Sequence, residues 1–217
     1  MMKHISLLLV LLSAVFAAGA QNYATPETFN NPGPYSAKLD FSLVAAAQGP
    51  GVTFLGGDAD LFRLSGETAD FEIDFSRTIV GKTTFLDAYK AENGKDAAEK
   101  LEELNDKCRV YFYAQYNQRN KGLKVEKEVT DETSFKMVIH VMKLNTGNAW
   151  GSLPSAGIHD GESAIDGYIT LVDTASGKVV AVAAFNNITS TSSVSKNLRI
   201  AVPFSQLGMK ARKALAN

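Results

Sequence analysis

The segment His159-Asp160-Gly161-Glu162 sets an imidazole and two carboxylates within four positions. Such side chains hold divalent cations or move protons. Asp166 and His140 could join them in a metal site. Zinc, however, needs three or four ligands converging at about 2.0–2.3 Å, and an Asp-Gly loop is a common turn. Asp58 and Asp60 form a second short acidic loop. Neither loop has the ligand spacing of an EF-hand. The expectation is no metal and no cofactor. His140 has Val138 and Met142 on its own face of an alternating run, the setting of a half-buried sheet histidine.

Trp150 is the sole tryptophan and opens a long polar loop between Asn145 and Ser163. Long loops without structure of their own are often functional. An indole there could stack on a sugar or cover a sheet edge. The candidate binding residues are therefore Trp150, His159, Asp160 and Glu162.

Val80-Gly-Lys-Thr-Thr84 resembles the end of a phosphate-binding loop. The full pattern requires glycine five positions before Gly81, to curl the backbone around phosphate. Ser76 stands there. Nucleophilic catalysis needs a nucleophile, a base and an orienting group, and no Gly-x-Ser-x-Gly elbow is present. No catalytic residue is assigned. Cys108 lies on the apolar stripe of a helix and reads as a small buried hydrophobe.

Several elements must position these residues. Ala69-Asp-Phe-Glu-Ile-Asp-Phe-Ser76 alternates strictly and predicts a half-buried strand with a wet acidic face. Ala97, Leu101, Leu104, Cys108, Phe112 and Tyr116 follow helical spacing and predict a helix over about 96–119, with Asp96 in the cap position and Glu99 completing a capping box. Residues 134–144 carry apolar side chains on both faces, as a central strand does. Strands over 164–172 and 178–188 flank the turn Asp173-Thr-Ala-Ser-Gly177. A final helix spans 203–216, with Pro203 in its first turn and Phe204, Leu207, Ala211 and Leu215 on its apolar stripe. Residues 38–47 and 123–129 predict further strands, and 48–68 one or two more. The fold class is α+β: a single antiparallel or mixed sheet of about five to seven strands covered by two helices.

The N-terminus reads as an export signal. Lys3 and His4 precede an apolar run from Ile5 to Phe16, and Ala18-Gly-Ala20 supplies small residues at a cleavage site. This run of about 12 residues, interrupted by Ser6 and Ser13, is too short to span a bilayer, which takes roughly 20 apolar residues. Residues 1–20 are the signal, 21–37 an extended lead-in rich in Pro and Asn, and 38–217 one domain. One cysteine leaves no internal disulfide framework. A net charge of -1, from 22 basic and 23 acidic residues, argues against nucleic-acid binding.

Glu72-Ile-Asp-Phe-Ser76, the helix ending in Tyr116-Asn117, Ile169-Thr-Leu-Val-Asp173-Thr-Ala-Ser-Gly177-Lys and Arg199-Ile-Ala-Val-Pro-Phe204 stand together in one chain. Their arrangement resembles exported Bacteroidetes proteins of unknown function. It is also similar to small periplasmic α+β domains of outer-membrane assembly lipoproteins, although the acylated Cys of those relatives is missing. The resemblance implies an envelope location and supplies no catalytic residues. The expected function is a non-enzymatic exported binding or accessory module, periplasmic or at the cell surface. It would act through strand edges and the 145–163 loop on an envelope or outer-membrane protein partner. The alternative is a hydrolase acting on envelope polysaccharide or another polymer.

Overall fold

A computed structural model describes residues 49–127, 133–146, 162–191 and 196–216. Among the described residues eight strands form one sheet: β1 (Gly51–Gly57), β2 (Thr68–Asp74), β3 (Ile79–Val80), β4 (Thr83–Thr84), β5 (Lys124–Val125), β6 (Phe135–Asn145), β7 (Glu162–Asp173) and β8 (Lys178–Thr191). The order along the sheet is β1-β8-β7-β6-β2-β5, with β3 joining from β4 onto β6. β1, β8, β7 and β6 are antiparallel neighbours, whereas β2 runs parallel to both β6 and β5. The sheet is mixed and curled, not flat.

The expected alternation in β2 is real: Ala69, Phe71 and Ile73 are buried on one side. The helices cover that side. They are α1 (Phe85–Asn93), α2 (Ala97–Asn117) and α3 (Lys196–Ala211), the last running into a wider turn over Arg212–Ala216. Leu104, Cys108, Phe112 and Tyr116 of α2 are fully buried, as are Phe204, Leu207 and Ala211 of α3. Ala181 and Ala183 of β8 belong to the same core, and small side chains there leave room for α3. Gly208 lets α3 approach α2, since a Cβ there would sit 2.6 Å from the Phe112 carbonyl oxygen. Burial pushes the Cys108 thiol far above the ordinary range, as suits a packing residue.

Four expectations need correction. The last helix begins at Lys196, so Pro203 lies inside it and not in its first turn. Pro203 removes one helical hydrogen bond, but the fully buried Ile200, Ala201 and Phe204 hold the helix through tertiary packing. Of the strand expected over 123–129, the described residues 123–127 hold only Lys124–Val125 as strand, and 128–129 lie outside the described residues. Asp96 does cap α2 by position but makes no side-chain cap bond; its carboxylate pairs with Lys100 at 3.6 Å. Finally, α1 is a third, short helix absent from the sequence reading. Its signal is Thr84-x-x-Asp87: the Thr84 hydroxyl accepts from the Asp87 amide at 3.2 Å and donates to the Asp87 carboxylate at 2.6 Å. Gly81, at φ 62°, makes the β3–β4 turn, so the Val80–Thr84 segment is a hairpin and not a phosphate loop.

Polar clamps fix the end of α2. Asn117 donates to the Val125 carbonyl at 2.7 Å and accepts from the Val125 amide at 3.0 Å. The Arg212 guanidinium donates to the carbonyls of Gln115, at 3.3 Å, and Gln118. A cation there also suits the helix dipole. Asn117→Ala is expected to cost about 1–2 kcal/mol, because it leaves two backbone groups of β5 without their partner. Urea unfolding would show this as a lower midpoint with an unchanged slope.

Candidate functional site

On the face of the sheet away from the helices, strand register decides which side chains meet. Parallel pairing sets Asp70 opposite Lys136, Glu72 opposite Val138 and Asp74 opposite His140. Antiparallel pairing then sets His140 opposite Tyr168 and Val138 opposite Thr170. The acidic row of β2 is therefore less wet than its alternation suggested. Glu72 pairs with Lys136 at 2.5 Å, and Asp70 is buried.

Asp74, His140 and Thr170 form a relay across three strands. Nδ1 of His140 lies 3.0 Å from Oδ2 of Asp74, and Nε2 lies 3.1 Å from Oγ1 of Thr170. The imidazole stacks on the Tyr168 ring, with centroids 4.4 Å apart and planes 19° from parallel. Arg77 donates to the Tyr168 hydroxyl at 2.7 Å. The hydrogen bond from His140 holds the Asp74 carboxyl well below the usual carboxylate range, assisted by the Ser76 amide and opposed by burial. Beneath the relay, Met142, Tyr168 and Val182 form a second small apolar cluster.

A carboxylate, an imidazole and a hydroxyl in line is the arrangement that activates a nucleophile in hydrolases. Here the hydroxyl belongs to a mid-strand threonine that is 3% exposed. The side chains of His140 and Asp74 are themselves only 17% and 22% exposed. The relay orients the imidazole and fastens three strands together. His140 is the half-buried sheet histidine the sequence predicts, but its two partners come from register, which no local pattern displays.

Of the binding residues expected from sequence, Trp150, His159 and Asp160 lie outside the described residues. Glu162 is the first residue of β7, paired with Thr191 and half-buried. It stands six residues from Tyr168, about 20 Å along the strand at roughly 3.3 Å per residue. The structure thus does not bring Glu162 to His140. Among the described residues, no group of three or more His, Cys, Asp or Glu could hold a metal ion.

Two open grooves flank the sheet end near β5. One, of about 530 Å³, is lined by residues that include Glu67, Lys121 and Lys124; the other, of about 230 Å³, by residues that include Arg109, Val110 and Tyr113. Neither contains the relay.

The opposite end of the sheet is β1. Among the described residues, no strand pairs with its outer side. Its sequence, Gly-Val-Thr-Phe-Leu-Gly-Gly, has no charge and no proline. Those are the features that normally protect an edge from pairing with another chain. At the other end, β5 is kept to two residues, and Arg109 donates to the carbonyl of Lys127 just beyond it.

No family model matches the chain, and no curated protein matches it. Among solved structures, the chain is similar to the PelC dodecamer from Paraburkholderia phytofirmans at 14% identity, over 76% of this chain and 98% of that chain, with a TM-score of 0.37. It is similar to a Xanthomonas campestris protein of the DUF330 family model at 16% identity, over 72% of this chain and 84% of that chain, with a TM-score of 0.34. Likenesses at this level transfer no role and no assembly to this chain. No helix among the described residues is long and apolar enough to cross a membrane.

Proposed function

We propose that this chain is a non-enzymatic accessory module of the cell envelope that binds a protein partner by strand addition at β1. The observation that carries this reading is the unprotected edge: seven residues without charge or proline at the end of an antiparallel run of long strands. Strand addition draws affinity from backbone hydrogen bonds and specificity from alternate side chains. It requires no catalytic signature. The export-type N-terminus supports the envelope location. The rival reading, a hydrolase, draws support from the Asp74–His140–Thr170 relay, but the burial of Thr170 keeps its hydroxyl from a substrate.

The test is affinity capture of the chain from Gln21 onward out of its native envelope, read by mass spectrometry, beside a Thr53→Lys variant. A lysine on an edge strand is the device that natural sheets use against pairing. The expected result is one stoichiometric envelope protein with the native chain, and at least about tenfold less with the variant, equivalent to roughly 1.4 kcal/mol. Equal recovery with both chains overturns the assignment of β1. A polysaccharide or ester hydrolysis lost in a His140→Gln variant would replace the reading with the rival one.

A further inference from the structure

We propose that the larger groove at the β5 end of the sheet binds a phosphate ester of a hydroxylated carrier. That chemistry is shared by the headgroup of a glycerophospholipid and by a soluble glycerol or sugar phosphate. The groove lies at the end of the sheet away from β1, so the site stands or falls independently of strand addition there.

Charge points to an anion. The whole chain has a net charge of -1, yet Arg119-Asn-Lys121-Gly-Leu-Lys124 sets three cations within six residues. Lys121 and Lys124 are exposed and line the groove. Neither forms an ion pair with a described residue. A cleft that is positive on balance concentrates anions. An ammonium on a flexible stem binds phosphate as a point charge.

Size and lining point to the carrier. The groove, at about 530 Å³, has room for more than a bare phosphate. Small-molecule sites span roughly 300–1,000 Å³ and are mostly apolar. This one has no apolar side chain in its lining; Ser65, Glu67 and Thr68 line it beside the lysines. Hydroxyls donate and accept, and a carboxylate accepts. That set suits the hydroxyls of a carrier next to its phosphate. Glu67 would repel a second anionic group, and so selects against a run of phosphates.

The groove is also preformed. Its floor includes Asn120, which is buried, donates to the Leu123 carbonyl at 2.8 Å and accepts from the Gly122 amide at 2.8 Å. Gly122 has no room for a side chain, since a Cβ would lie 2.4 Å from the Phe62 carbonyl oxygen. The Leu123 amide donates to the Phe62 carbonyl at 3.0 Å, and the Lys124 amide to the Glu67 carbonyl at 3.1 Å. The two segments that form the groove are thus bonded to each other, and a ligand orders little backbone on binding. A partner strand has no purchase here, because Asn117 already takes both backbone groups of Val125. This end of the sheet offers side chains, not a ladder.

The experiment is an NMR titration of the full chain, following backbone amides, with glycerol 3-phosphate, inorganic phosphate and glycerol, each into the millimolar range. Saturable shifts are expected at residues 66–68 and 120–124 with glycerol 3-phosphate, weaker ones with inorganic phosphate and none with glycerol. A Lys121→Gln, Lys124→Gln double variant is expected to bind at least about tenfold more weakly, as loss of charge-assisted hydrogen bonds requires. Its urea midpoint serves as the folding control. Glu67→Gln is expected to narrow the preference for the glycerol ester over inorganic phosphate. Co-sedimentation with phosphatidylglycerol vesicles, beside phosphatidylcholine vesicles, separates the two sources. Binding to the former alone, lost in the double variant, assigns a lipid headgroup; saturable shifts with the soluble ester and no vesicle binding assign a soluble ligand. Equal affinity for glycerol 3-phosphate and inorganic phosphate overturns the part given to the carrier. Failure of both the soluble esters and the vesicles to engage these residues, or unchanged binding by the double variant, overturns the site.

Discussion

Gly167→Ala is expected to cost about 3 kcal/mol, at the severe end of overpacking. For a domain of this size the midpoint of thermal unfolding would fall by roughly 10 °C. A Cβ at Gly167 would lie 2.0 Å from the His140 carbonyl oxygen and 2.6 Å from Cζ of Phe185. Neither neighbour can yield easily. The carbonyl belongs to the central strand β6, and Phe185 is fully buried. The ladders on both sides of Gly167 are irregular, with register shifts between Val141 and Lys143 and between Ile165 and Gly167. Glycine is what lets β6, β7 and the Phe185 ring meet where the sheet bends. Because the clash is with the backbone of His140, the relay to Asp74 and Thr170 should loosen as well. Gly66→Ala is the comparison: it has open space around its Cβ but a φ of 86°. Its cost is backbone strain alone, about 1 kcal/mol. Calorimetry on both variants settles the matter, and equal midpoints would show that the sheet relaxes around an added methyl at Gly167.

The legible part of the fold was what local periodicity encodes. The stripe Leu104, Cys108, Phe112 and Tyr116 repeats at helical spacing and is buried as a unit. Asp173–Gly177 closes its hairpin with a side-chain bond across the turn: the Asp173 carboxylate accepts from the amide and the hydroxyl of Ser176, at 2.7 and 2.6 Å. Phe204, Leu207, Ala211 and Leu215 are buried as their spacing predicts, although the helix around them starts earlier. The start was hidden because Pro203 is a strong local signal for a first turn. Tertiary burial on both sides of it overrode that signal. The short helix α1 was hidden because nine residues that bury only Phe85 and Tyr89 carry little periodic signal, while its Thr84–Asp87 cap was the informative pair.

The site was less legible than the fold, for a physical reason. Asp74, His140 and Thr170 are 66 and 30 residues apart in pairs. Alternation placed Asp74 and His140 on their faces, while the sequence reading assigned Thr170 to no face. What joins them is the parallel register of β2 on β6, set by the whole hydrophobic pattern of both strands. A single change of register would pair Asp74 with another residue. The same face shows a second nonlocal effect: the shift between Val141 and Lys143 returns Leu144 to the core, where strict alternation had put it with Val138 and Met142. The terminal place of β1 among the described strands was equally invisible, because an edge is a property of strand order, not of composition.

Asp74→Asn is expected to destabilise the chain by about 2 kcal/mol at neutral pH, the scale of a hydrogen bond to a charged partner. The loss should depend on pH. The native fold holds the Asp74 carboxyl well below its usual range, chiefly through the His140 ring. A group whose folded pKa is depressed stabilises the fold fully above its unfolded pKa, near 3.9 for aspartate. That contribution declines as pH falls through this value and disappears below the folded pKa. Asparagine has the same shape and no titration. The gap between native chain and variant should therefore be constant from neutral pH down to about 5 as far as Asp74 is concerned, then close as acid is added. Urea unfolding at pH 7, 5 and 3 measures it. A gap that stays equal at pH 3 would mean that the carboxylate charge contributes nothing and that only the geometry of the hydrogen bond matters. Thr170→Val separates the two ends of the relay. It removes the partner of Nε2 while leaving Nδ1 on Asp74, so the acid-dependent gap should persist in that background. If it vanishes there, the Thr170 hydroxyl is what aligns the imidazole against the carboxylate, and the three strands act as one polar unit.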